Sequence, residues 1–216
     1  ANLAGAGFSN MDGNDVLAIS VSGAPSKDNL NAIKARTAGV ITATTDLTIA
    51  HGKLLNTDSN DQITLTLSDT GGVDATDLSS VAGKSGATVT LTNGQAISGS
   101  ESELTAALVT AASKVVLGAS SALTMSGSGA LAKVNALAGV NNAGNITGTI
   151  TSTDGTTLAA GMGNLSNTDV LAVTISGTPT ISEVNTIAGK TGGVVTATIA
   201  AGNYATQNAL TTAATD

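Results

Sequence analysis

The chain lacks cysteine and tryptophan, and its 216 residues include a single phenylalanine, Phe8, and a single tyrosine, Tyr204. The absence of cysteine excludes disulfides, thiolate metal sites and cysteine catalysis. With so few aromatic rings, a core must be assembled from small aliphatic side chains in many similar layers, whereas a globule of this length ordinarily uses aromatic bulk. The composition therefore favours an elongated array of repeats.

Basic residues are also scarce, with eight Lys plus Arg and a formal net charge of -7. Neutralising a phosphate backbone requires clustered cations, so we expect no nucleic-acid partner and no attraction to anionic membrane surfaces. No segment approaches the roughly 18 uninterrupted apolar residues of a membrane-spanning helix, and we expect no membrane insertion.

Two classes of strand recur along the chain. Each alternates apolar and small polar residues, which is typical of a strand with one buried face. The first class comprises VLAISVSG from Val16, QITLTLSD from Gln62, SALTMSGS from Ser121 and VLAVTISG from Val170. The second comprises GVITATTD from Gly39, ATVTLTNG from Ala87, NITGTITS from Asn145 and VVTATIAA from Val194.

Segments with apolar residues at helical spacing separate the strands. The stripes predict helices of about three turns, and they are Leu30 with Ile33, Leu78 with Val81, Leu131 with Val134 and Leu137, and Ile181 with Val184 and Ile187. Further helix-prone segments follow the second strands, such as SESELTAALVTAA from Ser100. The wide interval between the glycines at Gly86 and Gly144 predicts an insertion between Gly99 and Ser121.

Successive strands lie about 22 to 25 residues apart, which suits a parallel crossover and is too long for a hairpin. The sequence predicts an α/β repeat solenoid of about eight strand-helix units, with parallel strands and short helices on one side. The alternative is a wider β-solenoid with two strand walls. Residues 1–216 are expected to form one array of four strand-helix-strand-helix units, approximately 12–61, 62–115, 116–169 and 170–216, that starts in the middle of a unit.

The two ends of the sequence lack the polar caps that protect terminal layers of a solenoid. Residues 2–20, NLAGAGFSNMDGNDVLAIS, match residues 157–176, TLAAGMGNLSNTDVLAVTIS. We therefore expect either a longer array or copies that stack head to tail into a homopolymer.

Gly189-Lys190-Thr191 resembles the end of a phosphate-binding loop. Such a loop needs a glycine five residues before the Gly-Lys pair, and here that position is Val184, an apolar position of the preceding helix. The order of elements, helix and then glycine and then strand, is also reversed. We interpret Gly189, and Gly83 in the sister copy AGKSG, as helix C-caps in the left-handed conformation, with Lys190 and Lys84 at the negative end of the helix dipole.

Acidic turns precede three of the first-class strands. Their carboxylate and amide oxygens are the hard ligands that calcium prefers, although Asp, Asn and Gly are also ordinary turn formers. The sequence contains no complete calcium-binding loop. Calcium is therefore one possible cofactor, beside the alternative of none, and its candidate ligands are Asp12, Asn14, Asp15, Asp58, Asn60, Asp61 and Asp169.

Threonines two residues apart on the strands share one face, because side chains alternate along a strand. In a parallel sheet such faces align about 4.8 Å apart from strand to strand. This array suits ice, a glycan or a lateral contact, while a solvent-facing strand also favours threonine for its β-branched shape. Its members are Thr42, Thr44, Thr64, Thr66, Thr88, Thr90, Thr147, Thr149, Thr196 and Thr198.

Catalytic signals are few. His51 is the only histidine and has no acid or nucleophile pattern around it, and no serine lies in a Gly-x-Ser-x-Gly elbow. We expect no enzyme activity and assign no catalytic residues.

The segment Val170 to Ala200, VLAVTISGTPTISEVNTIAGKTGGVVTATIA, resembles the Ala/Thr/Gly-rich tandem repeats of giant bacterial cell-surface or secreted proteins, especially those of cyanobacteria. The resemblance covers essentially the whole chain and implies an extracellular or cell-surface location. We expect a structural repeat protein of a long fibre, filament or surface layer, with self-association. The alternative is an adhesin-type module that binds ice or a glycan through its threonine face, stiffened by calcium.

Overall fold

The computed structural model describes residues 10–110, 114–140 and 142–211. Strands and short helices follow one another along these residues, and in places two strands come in succession. The strands are β1 (Ile19–Ser20), β2 (Ile41–Leu47), β3 (Gln62–Leu67), β4 (Val73–Asp74), β5 (Val89–Leu91), β6 (Ile97–Ser100), β7 (Val115–Leu117), β8 (Ser121–Gly129), β9 (Ala143–Asp154), β10 (Val170–Ser176) and β11 (Val195–Thr196). The helices are α1 (Lys27–Lys34), α2 (Ile49–Lys53), α3 (Ala75–Ala82), α4 (Glu101–Leu108), α5 (Leu131–Ala138), α6 (Gly155–Gly161), α7 (Ile181–Ala188) and α8 (Tyr204–Gln207).

The fold is α/β with two sheets whose described strand pairs are all parallel, as the sequence predicts. The chain divides into two compact units, of which the first comprises Ala1–Gln95 and Ala106–Ser120 and the second comprises Ala96–Thr105 and Ser121–Asp216. A connection that contains a helix is long enough to return the chain to the start of a neighbouring parallel strand.

In the first unit, five strands are hydrogen-bonded in the order β1-β2-β3-β5-β7. Their buried side chains align across the sheet, with Leu65 opposite Val89 and Leu67 opposite both Leu47 and Leu91. Alternate residues point to solvent, so β2 has the strict burial pattern of a strand with one buried face. Aliphatic side chains from the strands and from α1 and α3 form the core.

In the second unit, five strands follow the order β11-β10-β9-β8-β6. The register shifts between β8 and β9 and again between β9 and β10, where Val173 pairs with Ile150 but Ile175 pairs with Thr153. Such irregularities bend a strand locally. Buried Leu123, Ile146 and Leu171 belong to the aliphatic core of this unit.

The helices appear where the apolar stripes predict them, but they are shorter than predicted. Helices α1, α3, α5 and α7 each have eight residues, slightly more than two turns. The predicted stripe residues Leu30, Ile33, Leu78 and Val81 are all buried. The prediction of three turns was wrong because each of these helices ends one residue after its last stripe residue, which is Ile33, Val81, Leu137 or Ile187.

Strand lengths differ more from the prediction. Strands β1 and β11 have only two residues each, whereas β9 has twelve. Strands β4, β6 and β7 were not predicted, since two to four residues are too few for alternation to be recognised. The predicted insertion between Gly99 and Ser121 contains α4 and β7, which are regular elements of the fold.

The glycines at the helix ends do cap the helices, but the predicted left-handed conformation was wrong. Gly83 has φ -67° and Gly189 has φ -70°, both right-handed. The Gly189 N–H donates to the carbonyl oxygens of Asn185 and Ile187, so the last turn tightens without a left-handed residue. Among the described residues, positive φ values occur instead at Gly23, Gly127, Asn142 and Gly177.

Gly39 and Gly193 open second-class strands for a different reason. A Cβ atom at either position would overlap the backbone of the preceding strand segment, at Leu17 and Leu171 respectively. Close approach of two backbones therefore requires glycine here.

Candidate functional site

The outward face of the sheet in the first unit carries the predicted threonine array. Thr42, Thr44, Thr64 and Thr88 are exposed, and Thr66 and Thr90 are partly buried. Thr44 lies opposite Thr64 and Thr66 lies opposite Thr90 on neighbouring parallel strands. The hydroxyls and methyl groups of six threonines thus share one surface, which also contains Gln62 opposite Thr42 and Asp46 opposite Thr66.

The second unit has its own threonine-bearing surface. Thr147 is exposed and pairs with Thr124, while Thr196 is exposed and pairs with Thr174. Thr149 is partly buried, and Thr198 is exposed but lies beyond the end of β11. Thr124 and Thr174 were not predicted members, although both lie at alternating positions of first-class strands.

The acidic turns repeat one hydrogen-bonding pattern. The Asp12 carboxylate accepts the N–H of Asn14, and the Asp15 carboxylate accepts the N–H of Asp12, both at 2.9 Å. In the next acidic turn, Asp58 accepts from Asn60 at 2.8 Å and Asp61 accepts from Asp58 at 3.0 Å. This N–H bond from Asn60 is the main cause that lowers the pKa of Asp58. Each turn is therefore stabilised by its own carboxylates.

The last carboxylate of a turn also bridges to an earlier strand. Asp61 is fully buried, accepts the N–H of Ile41 at 2.8 Å, and forms an ion pair with Lys34 at 2.9 Å. Asp169 is 5% exposed and accepts the N–H of Ile146 at 2.8 Å. These buried oxygens already have partners, which a calcium ion would have to displace.

The candidate calcium ligands are not all brought to one place. Asp12, Asn14, Asp58 and Asn60 are exposed in separate turns, and Asp61 and Asp169 point inward. Among residues 10–110, 114–140 and 142–211, no three His, Cys, Asp or Glu side chains come together in a group that could hold a metal ion. Calcium binding therefore remains a prediction from the sequence, and the turn geometry has an explanation without it.

The Gly-Lys-Thr corner has a structural role that the sequence did not reveal. The Thr191 side chain is 2% exposed, and its hydroxyl accepts the N–H groups of Leu171 and Gly193, both at 2.9 Å. The hydroxyl proton lies within reach of the carbonyl oxygens of Leu171 at 2.8 Å and Asp169 at 3.1 Å. One side chain thus satisfies backbone groups where the chain turns from a helix into a strand.

The same corner hydroxyl occurs twice in the first unit. Thr37 contacts backbone groups of Asp15, Leu17 and Gly39 at 2.7–3.0 Å. Ser85 contacts Asp61, Ile63 and Ala87 in the same way at 2.8–3.2 Å. We refer to Thr37, Ser85 and Thr191 as the corner hydroxyls.

Asparagine side chains form a second recurring contact. In α1, the Asn31 amide donates to the Leu54 carbonyl at 2.8 Å and accepts the N–H of Asn56 at 2.7 Å. In α7, Asn185 contacts Ala209 and Thr211 in the same two-sided way, and in α5 Asn135 accepts the N–H of Asn164. Asn31, Asn135 and Asn185, the bridging asparagines, all lie five residues after the helix N-cap, and each binds backbone that follows the next helix.

Comparison with known proteins gives no relative, because no family model, no curated protein and no solved structure matches the chain. Within the part of the chain that the structure describes, no helix is long and apolar enough to span a membrane.

Proposed function

We propose that the chain is a structural repeat segment of an extracellular fibre, filament or cell-surface layer. The proposed architecture is a solenoid of strand-helix segments stacked through parallel strand pairing, with short helices on one side. In this proposal the protein is not an enzyme, and copies of it associate with one another.

The observation that carries the proposal is the repetition of the same contacts from one segment to the next. The corner hydroxyls and the bridging asparagines each join a strand-helix segment to the backbone of its neighbour, about 20 to 29 positions away in the sequence. These hydrogen bonds determine how neighbouring segments stack on one another, and they provide no chemically reactive group. In repeat proteins, stability comes mainly from such contacts between neighbouring segments.

Self-association can be tested at the edge strand of a sheet, where another chain would pair. β11 ends the strand order of its sheet, and an edge strand is a ready surface for pairing with another chain. Sedimentation velocity of the purified chain over a range of concentrations, with electron microscopy of the largest species, measures assembly. We expect concentration-dependent oligomers and elongated particles.

A lysine at the sheet edge should weaken this assembly, because charged side chains protect edge strands. Thr196→Lys places the charge on β11, and Thr174→Lys places the same charge on the outward face of the adjoining β10. We expect Thr196→Lys to reduce assembly more than the matched Thr174→Lys. A chain that stays monomeric at every concentration would contradict the proposed self-association.

The threonine array supports a second candidate function, an adhesin-type module that binds ice or a glycan. The specific observation is that exposed Thr44 lies opposite exposed Thr64, and partly buried Thr66 lies opposite partly buried Thr90, on the outward face of neighbouring strands. The hydroxyl and methyl groups are regularly spaced. Such a surface fits a ligand with a regularly repeating structure, such as ice or a polysaccharide, better than it fits a single small molecule.

Replacing Thr64, Thr66, Thr88 and Thr90 with lysine tests this candidate. Thermal hysteresis in ice and binding to a panel of immobilised polysaccharides are the two measurements, and circular dichroism checks that the fold is retained. The matched control places four lysines at exposed serines and threonines outside the sheet. Binding that survives the first set of changes excludes the threonine face as the site.

A further inference from the structure

The triplet Asn-x-Ser/Thr, which is the acceptor sequence for N-linked glycans, occurs twice in the chain. Both copies lie in the second unit, with Asn145-Ile146-Thr147 in β9 and Asn164-Leu165-Ser166 in the segment after α6. Because so short a motif also arises by chance, the surroundings of each asparagine decide whether it can carry a sugar.

Asn145 presents its amide to solvent. The residue is exposed, and the buried Ile146 separates it from exposed Thr147, so the two polar side chains share one face of β9. No hydrogen bond joins the Asn145 side chain to any residue that the structure describes. A glycan on this amide nitrogen would therefore displace no hydrogen bond.

Asn145 also lies where strand pairing is interrupted. The register shifts between Ser121 and Leu123 of β8, because β9 has one more residue than β8 in the facing stretch. On the other side, the described pairing of β9 with β10 begins only at Thr147. The backbone at Asn145 is thus held by fewer ladder hydrogen bonds than the middle of the strand, which favours access by a transferase.

Asn164 is exposed as a residue, but its amide nitrogen is covered. The nitrogen donates to the Asn135 carbonyl oxygen at 3.0 Å, and a Cβ atom at Gly139 would lie only 2.6 Å from it. The Ser166 hydroxyl of this triplet is already hydrogen-bonded within its own turn. A sugar on Asn164 would have to break the bridging contact to α5.

We propose that Asn145 is an N-glycosylation site and that Asn164 is not. The proposal rests on the extracellular location in the proposed function, since the transfer takes place on exported chains. In the transfer step, the amide nitrogen of Asn145 forms a bond to the anomeric carbon of an oligosaccharide carried on a lipid pyrophosphate. The bond between that carbon and the pyrophosphate oxygen breaks, the lipid pyrophosphate leaves with the electron pair, and the amide nitrogen loses one proton to the transferase.

A glycan at this position would cover part of the threonine-bearing surface of the second unit. Thr147 shares the outward face with Asn145, and Thr124 lies opposite Thr147 on β8. Because glycans are bulky and solubilising, another copy could not pack against this surface. The threonine array of the first unit would remain open to a ligand.

Secretion of the chain from a eukaryotic host, followed by peptide mass spectrometry, tests the proposal. Enzymatic release of N-glycans in heavy-oxygen water converts each modified asparagine into a labelled aspartate, which gives the occupancy of Asn145 and of Asn164 separately. We expect the occupancy of Asn145 to be about tenfold higher, because a sugar on Asn164 costs that residue its hydrogen bonds. Asn145→Gln and Thr147→Val should each abolish modification of the first triplet, and Thr147→Ser should retain it.

Ser166→Thr is the matched control for the second triplet. It gives both triplets the same hydroxyl residue, so a remaining difference in occupancy comes from the surroundings of the asparagines. We expect Asn164 to stay unmodified in this variant. An unmodified Asn145 in the secreted chain, or equal occupancy of both asparagines in Ser166→Thr, would overturn the proposal. Self-association is measured separately by sedimentation, so the scaffold function and the glycosylation site can fail independently of each other.

Discussion

At the scale of single residues, threonine has two distinct roles in one short segment. In GKTGGVVTAT, Thr196 faces solvent on β11, whereas Thr191 is buried and binds four backbone groups. Period-two alternation predicts the exposed role, because it depends on the strand alone. The buried role depends on the backbone near Leu171, 20 residues earlier in the chain, and no local pattern encodes it.

The corner hydroxyl leads to the first prediction, that Thr191→Val destabilises the protein. Valine keeps the shape of threonine but leaves the N–H groups of Leu171 and Gly193 without their acceptor. Because an unpaired buried polar group costs about 1–3 kcal/mol, we expect the free energy of unfolding to fall by about 2 kcal/mol in urea denaturation. Thr191→Ser should retain most of the stability, as Ser85 does this work in the first unit.

Thr196→Val provides the matched control on the exposed strand. We expect it to change the free energy of unfolding by less than about 0.5 kcal/mol, because surface substitutions away from special features have small effects. Equal losses from Thr191→Val and Thr196→Val would show that the corner hydroxyl does not contribute to stability.

At the scale of elements, the helix boundaries follow from capping. Ser26, Thr48, Asp74, Asp154, Thr180 and Asn203 are N-caps whose side chains accept a backbone N–H from the first turn. In α7 the motif T-x-x-E is a full capping box, in which Thr180 and Glu183 bind each other's backbone. These capping side chains set where the helices start, whereas the prediction from the sequence used only the apolar stripes and gave the wrong length, which is limited by the turn into the next strand.

Helix α5 is the exception and gives the second prediction. Its N-cap is Ala130, which has no side-chain acceptor, although its φ of -68° and ψ of 135° are those of an ordinary cap. We expect Ala130→Ser to raise the free energy of unfolding by about 1 kcal/mol, because a serine hydroxyl would accept a free N–H of the first turn. Thermal and urea unfolding both measure the change.

The control for this prediction is Ala132→Ser in the first turn of the same exposed helix face. Serine inside a helix is less favourable than alanine, so we expect a loss of a few tenths of a kcal/mol. If both serines change stability in the same direction, capping does not limit α5.

At the scale of the whole molecule, spacing predicts the parallel α/β class but not the arrangement into two sheets. A connection of about 22 to 25 residues requires a crossover, so the strands must be parallel. The sheet that a strand joins depends on the direction in which the preceding corner turns the chain. Corners such as those at Gly39 and Gly193 depend in turn on close approach to a neighbouring backbone segment, which spacing along the sequence does not encode. The bridging asparagines were missed for the same reason, since their partners follow a different helix.

The acidic composition also acts on the whole molecule. Glu183 accepts hydrogen bonds from the Thr156 hydroxyl at 2.6 Å and from the Thr180 backbone at 2.8 Å, and these bonds lower the pKa of Glu183. The N–H of Thr157 lowers the pKa of Asp154, and the N–H of Asn60 lowers that of Asp58. All three carboxyls therefore bind protons less readily in the folded chain than in the unfolded chain.

Because these pKa values are lowered by folding, the third prediction is that the protein loses stability as the pH falls. A carboxyl with a lowered folded pKa contributes stability that is fully present above its unfolded pKa of about 4 and is lost as the pH falls through the folded pKa. We expect the urea midpoint of unfolding to be constant from about pH 7 to pH 5 and to decrease steadily from about pH 4.5 to pH 2.5. Glu183→Gln should lower the midpoint at neutral pH and make the decrease shallower, because one of the contributing carboxyls is gone. Glu103→Gln is the comparison variant. It removes the carboxylate of Glu103, which makes the related capping contacts with Ser100 at the start of α4. A midpoint that is the same at pH 3 and pH 6 would show that the carboxylate contacts persist in the unfolded chain or contribute nothing to folding.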